Sequence, residues 1–177
     1  MDFSDIVAIP WLLPGFTASL VVAFLLRGPV QRRLRTGPFL SWSLIVSLGI
    51  ILSATLTPSR EAIEFGAVGT RTCDLSRIGL ARIQDLLGHG DTTLNVLLFV
   101  PLGAAIGLLP RSRRKAAIVV GALALPFAIE ATQLLVTRLD RACQSADVID
   151  NLTGLAVGLG IGAVTGRFAG KAGHRRR

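Results

Sequence analysis

Phe39 to Thr57 (FLSWSLIVSLGIILSATLT) runs nineteen residues without a charge, and Thr92 to Pro110 (TTLNVLLFVPLGAAIGLLP) runs nineteen more. A hydrocarbon core of about 30 Å takes roughly 20 such residues to cross as a helix. Inside that core the backbone has no water to bond, so a spanning segment must satisfy its own N–H and C=O groups. Five segments of this kind fit the chain: about Ile6 to Leu26, Phe39 to Thr57, Thr92 to Leu109, Ala116 to Thr137 and about Val148 to Gly166. Pro58 and Pro110 close the second and third. A soluble protein with buried core helices is the competing reading, and five such segments in 177 residues argue against it. The apolar fraction of 51% is only a little above a soluble average, so the distribution decides and not the total. The sequence therefore predicts an all-α, polytopic transmembrane helical bundle of about five spans. It forms a single domain over residues 1–170, with a basic tail at 171–177.

The net charge of +8 has a simple geometric origin. Arg27, Arg32, Arg33 and Arg35 follow the first span. Arg111, Arg113, Arg114 and Lys115 separate the third from the fourth. Arg167, Lys171 and Arg175 to Arg177 follow the fifth. Thirteen of the nineteen basic residues thus lie on one side, in segments without Asp or Glu. Basic loops stay in the cytoplasm, so the expected orientation has the N-terminus outside and the C-terminus cytoplasmic. The basic blocks carry no interleaved aromatics, so nucleic acid is not an expected partner. The acidic start (MDFSD) lacks the basic region of a secretory signal.

On the external side, Asp74 to Gly88 has the pattern of a short amphipathic helix, with Leu75, Ile78, Ile83, Leu86 and Leu87 on one broad face. Asp74 caps its start and Gly88 its end in this reading. It either lies in the outer interface or packs over the bundle. Cys73 and Cys143 both fall in external loops. They form one disulfide tying the loops together, or remain two unpaired thiols.

Glu130 interrupts the fourth uncharged run fourteen residues in. A carboxylate inside a membrane span costs several kcal/mol, about 3 on insertion scales, unless it is paired or hydrogen-bonded. Gln133 and Thr137 share its helix face. Asn95 enters near the start of the third span, one turn after Asp91, and Asp147, Asp150 and Asn151 lie in the first turns of the fifth. All stand at similar depth, below Arg138 and Arg141. An Arg141 pair with Glu130 or Asp147 would offset the burial. The constellation reads as an outward-facing polar pocket, or as interhelical hydrogen bonding worth about 0.6 kcal/mol per contact. Gly154, Gly158, Gly162 and Gly166 recur every four residues, a stripe that admits a close neighbour: the fourth span, or a second copy of the chain.

These residues resemble the VanZ-like membrane proteins. Asn95, Phe99, Pro101 and Gly103 follow the family's N-x-x-x-F-x-P-x-G signature. Glu130, Gln133, Arg141, Asp147, Asn151 and Gly154 follow its E-x-x-Q … R-x5-D-x3-N-x-x-G pattern. The resemblance covers residues 91–166. It departs where Gln144 replaces an acid three residues after the arginine, and where Asp150 stands in place of an aliphatic residue. It implies a protein of the bacterial cytoplasmic membrane with a cell-envelope role and a link to teicoplanin resistance. The implied partners are membrane lipids, an envelope precursor or a glycopeptide.

The residues favour a binding or accessory protein. An intramembrane enzyme using Glu130 as acid or base is one alternative. No H-E-x-x-H, G-x-S-x-G or C-x-x-C occurs, and no metal or cofactor is expected. His89 and His174 lie in a loop and the tail. An ion-coupled transporter subunit is the other alternative; five spans without inverted repeats would need an oligomer.

Overall fold

A computed structural model describes residues 11–87 and 90–174. The elements run α1 (Leu12–Leu34), α2 (Pro38–Thr55), α3 (Arg60–Phe65), β1 (Cys73–Asp74), α4 (Ile83–Leu87), α5 (Asp91–Leu108), α6 (Arg113–Leu135), a 3-10 turn (Thr137–Leu139), β2 (Cys143–Gln144) and α7 (Ser145–His174). Five of these helices, α1, α2, α5, α6 and α7, are long and apolar enough to cross a membrane. Their outer surfaces are greasy: Leu13, Phe16, Phe24 and Leu25 on α1, Phe127 on α6 and Ile161 on α7 are all exposed. In water such a contiguous apolar exterior would aggregate; in lipid it is solvated.

Short connections make the bundle run up and down. At the basic end, Arg35 adopts a left-handed conformation (φ 54°) that ends α1, and Pro38 starts α2 within three residues. Pro110 follows α5, and the Ser112 hydroxyl caps α6 by accepting from the Lys115 N–H at 3.1 Å. Lys115 then reaches back: its Nζ donates to the Gly107 carbonyl at 2.7 Å and the Leu109 carbonyl at 3.0 Å. A cation on those orphan carbonyls satisfies acceptors that the helix end leaves open.

Lipid tails are as apolar as leucine, so helices in a membrane associate by close packing more than by the hydrophobic effect. The sequence supplies that packing. A Cβ on Gly154 would overlap the Val96 carbonyl oxygen, one on Gly158 the Val100 carbonyl oxygen, and one on Gly162 the Ala104 carbonyl oxygen. Gly103 and Gly107 of α5 face α7 in the same way. The partner of the glycine stripe is thus α5, the third span, in place of the fourth span or a second copy. With α5 seated on it, the stripe from Gly154 to Gly162 is closed to a homo-oligomer contact. Gly166 lies beyond the tight region, against only the Leu108 side chain. A similar pairing of small residues joins α1 to α2, with Gly15 against Ser53 and Gly49 against Ser19. Leu44, Ile51, Phe99, Ile106, Ile129 and Leu155 fill the centre between them.

Four expectations need correction. The first helix extends to Leu34, eight residues beyond the expected Leu26, because Pro29 does not break it and the arginines near its end favour a helix C-terminus. The fifth continues past Gly166 to His174, since nothing after the glycine stripe stops it and basic residues again suit the end. The amphipathic helix expected from Asp74 to Gly88 shrinks to Ile83–Leu87. Asp74 accepts from the Ser76 N–H at 2.8 Å in a local turn, so its side chain is committed to the loop and not to a helix cap. Thr137 leaves the α6 face altogether: α6 ends at Leu135, and the Thr137 carbonyl accepts from the Gly69 N–H at 2.8 Å. Gly88, His89 and the expected start of the first span before residue 11 lie outside the described residues, as do Arg175 to Arg177.

The α5–α7 seam makes a direct test. Gly154→Ala should destabilise the protein by about 1–3 kcal/mol through overlap with the Val96 backbone. Gly160→Ala, which meets nothing within 4 Å, should stay within about 0.5 kcal/mol. Melting of the two variants in detergent checks the difference.

Candidate functional site

At the end of the bundle opposite the basic loops, a cavity of about 700 Å³ opens between α2, α5, α6 and α7. That volume is within the range of small-molecule sites. Four helical stripes build it. On α6, Pro126, Ile129, Glu130 and Gln133 are buried at the three- and four-residue spacing of one face. On α5, Asp91, Asn95 and Leu98 step down the wall. On α7, Asp147 and Asn151 lie one turn apart, and Gly154 continues the same face into the seam with α5. On α2, Ser47, Ile50, Ala54 and Thr55 close the far side.

Every residue singled out from the sequence as a pocket candidate lines this cavity: Asn95, Glu130, Gln133, Arg141, Asp147 and Asn151. The α5–α7 packing brings the Asn95 amide beside the Asp147 carboxylate. Glu130 is only 5% exposed and sits five residues before the end of α6, about 7–8 Å along the helix. Its Oε2 accepts the backbone N–H of Gln144 at 2.7 Å. Gln133 donates from Nε2 to the Thr55 carbonyl at 2.9 Å, tying α6 to α2. Two buried acceptors, Gln133 Oε1 and Asn151 Oδ1, have no hydrogen-bond partner among the described residues.

The expected Arg141 ion pair does not form. Arg141 Nε donates to the Thr57 carbonyl at 3.2 Å, and no carboxylate among the described residues forms a salt bridge with it. Burial holds its guanidinium below the ordinary arginine value, with Asp140 and Glu61 acting in the other direction. Glu130 takes a backbone amide instead, because β2 runs directly over the end of α6. Gln144, the position that departs from the family pattern, therefore supplies the bond through its main chain, which any side chain other than proline would allow.

The loop between α2 and α4 forms a strap, residues 59–82, pinned at several points to the elements that build the cavity. Cys73 and Cys143 form a disulfide with Cα atoms 4.5 Å apart. The strands β1 and β2 pair in parallel around it, Cys73 beside Cys143 and Asp74 beside Gln144. The Ser59 N–H donates to the Leu139 carbonyl at 2.9 Å, and the Ser59 hydroxyl donates to Asp140 Oδ2 at 2.8 Å. Arg77 is the deepest pin. Its guanidinium forms a salt bridge with Asp150, which is 1% exposed, and also donates to the Ala146 carbonyl. The Asp150 hydrogen bond raises the Arg77 pKa further, so the cation is permanent. Ser145 returns a bond to the Arg77 carbonyl at 2.8 Å. Asp150 thus belongs to the strap, and Asp147, one turn earlier, belongs to the cavity. Sequence reasoning missed Arg77; its one signal was a basic residue set among the apolar positions Leu75, Ile78 and Leu80. It also missed the α2 wall, where Ser47 and Thr55 are small polar residues in an otherwise apolar run.

A family model described as VanZ/LLP1 matches residues 12–165, from the start of α1 to well inside α7. The chain belongs to the VanZ/LLP1 family. The match takes in the strap, the disulfide and every residue around the cavity. No curated protein and no solved structure matches the chain. As a VanZ/LLP1 member it is a membrane protein, in keeping with its five apolar helices.

The chemistry within reach follows from the lining. Three carboxylates, Asp91, Glu130 and Asp147, face one guanidinium, that of Arg141. Among the described residues no three acidic, histidine or cysteine side chains converge closely enough to hold a metal ion. The carboxylates come from three different helices, α5, α6 and α7.

Removing one member of the Arg77–Asp150 pair should cost up to about 3 kcal/mol, because the survivor is a charge without its partner. Arg77→Met alone should therefore lower the melting temperature, and Arg77→Met with Asp150→Leu should recover most of the loss. A double-mutant cycle by thermal denaturation measures both.

Proposed function

We propose that this VanZ/LLP1 protein is a non-enzymatic binding protein of the bacterial cell envelope. It sits in the cytoplasmic membrane with its N-terminus outside and its C-terminus in the cytoplasm. The cavity opens to the exterior and holds an envelope lipid or precursor. The observation that carries this reading is the cavity itself: six polar residues from three helices and the β2 loop share one 700 Å³ space at the acidic end. Evolution rarely leaves buried carboxylates in a span without use. The charge distribution supports the orientation. The basic blocks around Arg33, Arg114 and Arg167 gather at the opposite end, where Arg114 donates to the Arg33 carbonyl. A disulfide at the acidic end suits an oxidising exterior.

A role in teicoplanin resistance follows if the bound molecule is one that the glycopeptide also engages, or if its supply alters the surface the drug reaches. Expression in a teicoplanin-sensitive host should raise the inhibitory concentration at least fourfold. Glu130→Gln and Asp147→Asn should abolish the gain at unchanged protein level in the membrane. An unchanged inhibitory concentration with the wild-type chain would remove the resistance link. A C-terminal green fluorescent protein fusion should fluoresce; a dark fusion at normal abundance would reverse the orientation.

A further inference from the structure

The cavity wall is not uniform. The polar side chains Asp91, Asn95, Glu130, Gln133, Arg141, Asp147 and Asn151 come from α5, α6, α7 and the loop before β2. The wall that α2 and α5 share is mainly apolar: Ile50 and Ala54 on α2, and Leu97, Leu98 and Pro101 on α5, with Ser47 and Thr55 as the α2 hydroxyls. Leu97 is both a lining residue and 59% exposed on the surface the bundle turns to lipid. The space therefore reaches the bilayer side. Packing allows this. α6 rests on α7 and scarcely touches α2 apart from the Gln133 to Thr55 bond, so the α2–α6 gap is closed only near its polar end.

We infer that the cavity binds a glycosyl-headed amphiphile taken from the membrane, its sugar among the polar residues and its alkyl chain along the apolar wall of α2 and α5 where the α2–α6 gap opens. This rests on the binding role proposed above and names the ligand class. Three features choose the head. Carboxylates and amide oxygens predominate, so the lining asks for hydrogen-bond donors, which a phosphate in its ionised form lacks. A phosphate would also stand beside three carboxylates against one guanidinium. Among the described residues no three of the acids converge on one point, so a compact ammonium cannot engage all three lining carboxylates at once. A ring bearing several hydroxyls spreads its donors as the wall spreads its acceptors. The apolar wall then chooses the tail: a free sugar would leave Ile50, Leu98 and Pro101 facing water.

The test uses the full chain in nanodiscs and a decyl maltoside carrying a photoactivatable diazirine in its alkyl chain. Ultraviolet labelling should map to peptides containing Ile50 or Leu98. Excess decyl maltoside should compete it at least tenfold, and decyl phosphate and decylamine should not. Leu98→Trp, which fills the chain seat, should cut labelling at least fivefold. Leu97→Trp, at an exposed position that tolerates bulk, should do the same if Leu98→Trp fails to fold. Competition by decyl phosphate or decylamine equal to that by decyl maltoside overturns the glycosyl assignment. Labelling unaffected by the tryptophan variants, or spread evenly over all lipid-facing helices, overturns the site. The two proposals fail separately. Loss of resistance in Glu130→Gln without maltoside labelling sinks this inference alone. Specific labelling without any effect of the chain on teicoplanin sensitivity removes the resistance link alone.

Discussion

The closeness of α5 to α7 governs the rest of the molecule. In lipid, two helices gain little by hiding apolar side chains from each other, so contact depends on how near their backbones can come. Glycine at 154, 158 and 162, met by Gly103 and Gly107, removes the side chains that would hold them apart. Everything polar in the cavity follows from that seam. It sets Asn95 beside Asp147, carries Asn151 into the interior, and aligns the α7 start with the α5 start. Asn151 lies three residues before Gly154 and Asp147 four before Asn151, spacings that keep both on the continuation of that face. Packing and site are two stretches of one helical line.

A second constraint acts at the acidic end. Buried carboxylates need partners, and the bundle alone provides few. The loops at that end answer this, β2 by lending a main-chain donor and the strap by lending a guanidinium. Gln144 gives its amide to Glu130, and Arg77 gives its guanidinium to Asp150. The Cys73–Cys143 bond fixes the strand pair that carries Gln144, so a covalent link in the loops holds a hydrogen bond at the helix end. The strap thus supports the cavity wall without lining the cavity itself.

The number of spanning helices and six polar members of the cavity lining were legible in the sequence for the same reason. Uncharged length reads directly as a span, and a polar residue inside such a length must turn inward. Glu130, Gln133 and Asn151 could be placed at a common depth by counting from the ends. The partners of these groups were not legible. Arg141 lies between the two carboxylates in sequence, yet the loop aims it at Thr57, and a main-chain amide, invisible to residue-type reasoning, takes Glu130. Arg77 reaches Asp150 across 73 residues, a separation that no local pattern encodes. The partner of the glycine stripe failed for a related reason. A stripe states that something comes close, and the matching glycines, Gly103 and Gly107, lay four apart in the third span, where Pro101 and Gly103 read first as parts of a motif.

Glu130 carries two tasks at once, and that shapes what its replacement can mean. α6 is the least firmly packed of the cavity helices, seated on α7 and tied across to α2 by Gln133 and to β2 by Glu130. A hydrophobic residue at 130 would remove the acceptor for the Gln144 N–H and loosen the helix together with the site. Glutamine keeps a carbonyl oxygen in reach of that amide while discarding the charge. The two substitutions therefore separate anchoring from recognition. The anchoring share resides in one acceptor oxygen, and any role of the second oxygen belongs to whatever enters the cavity.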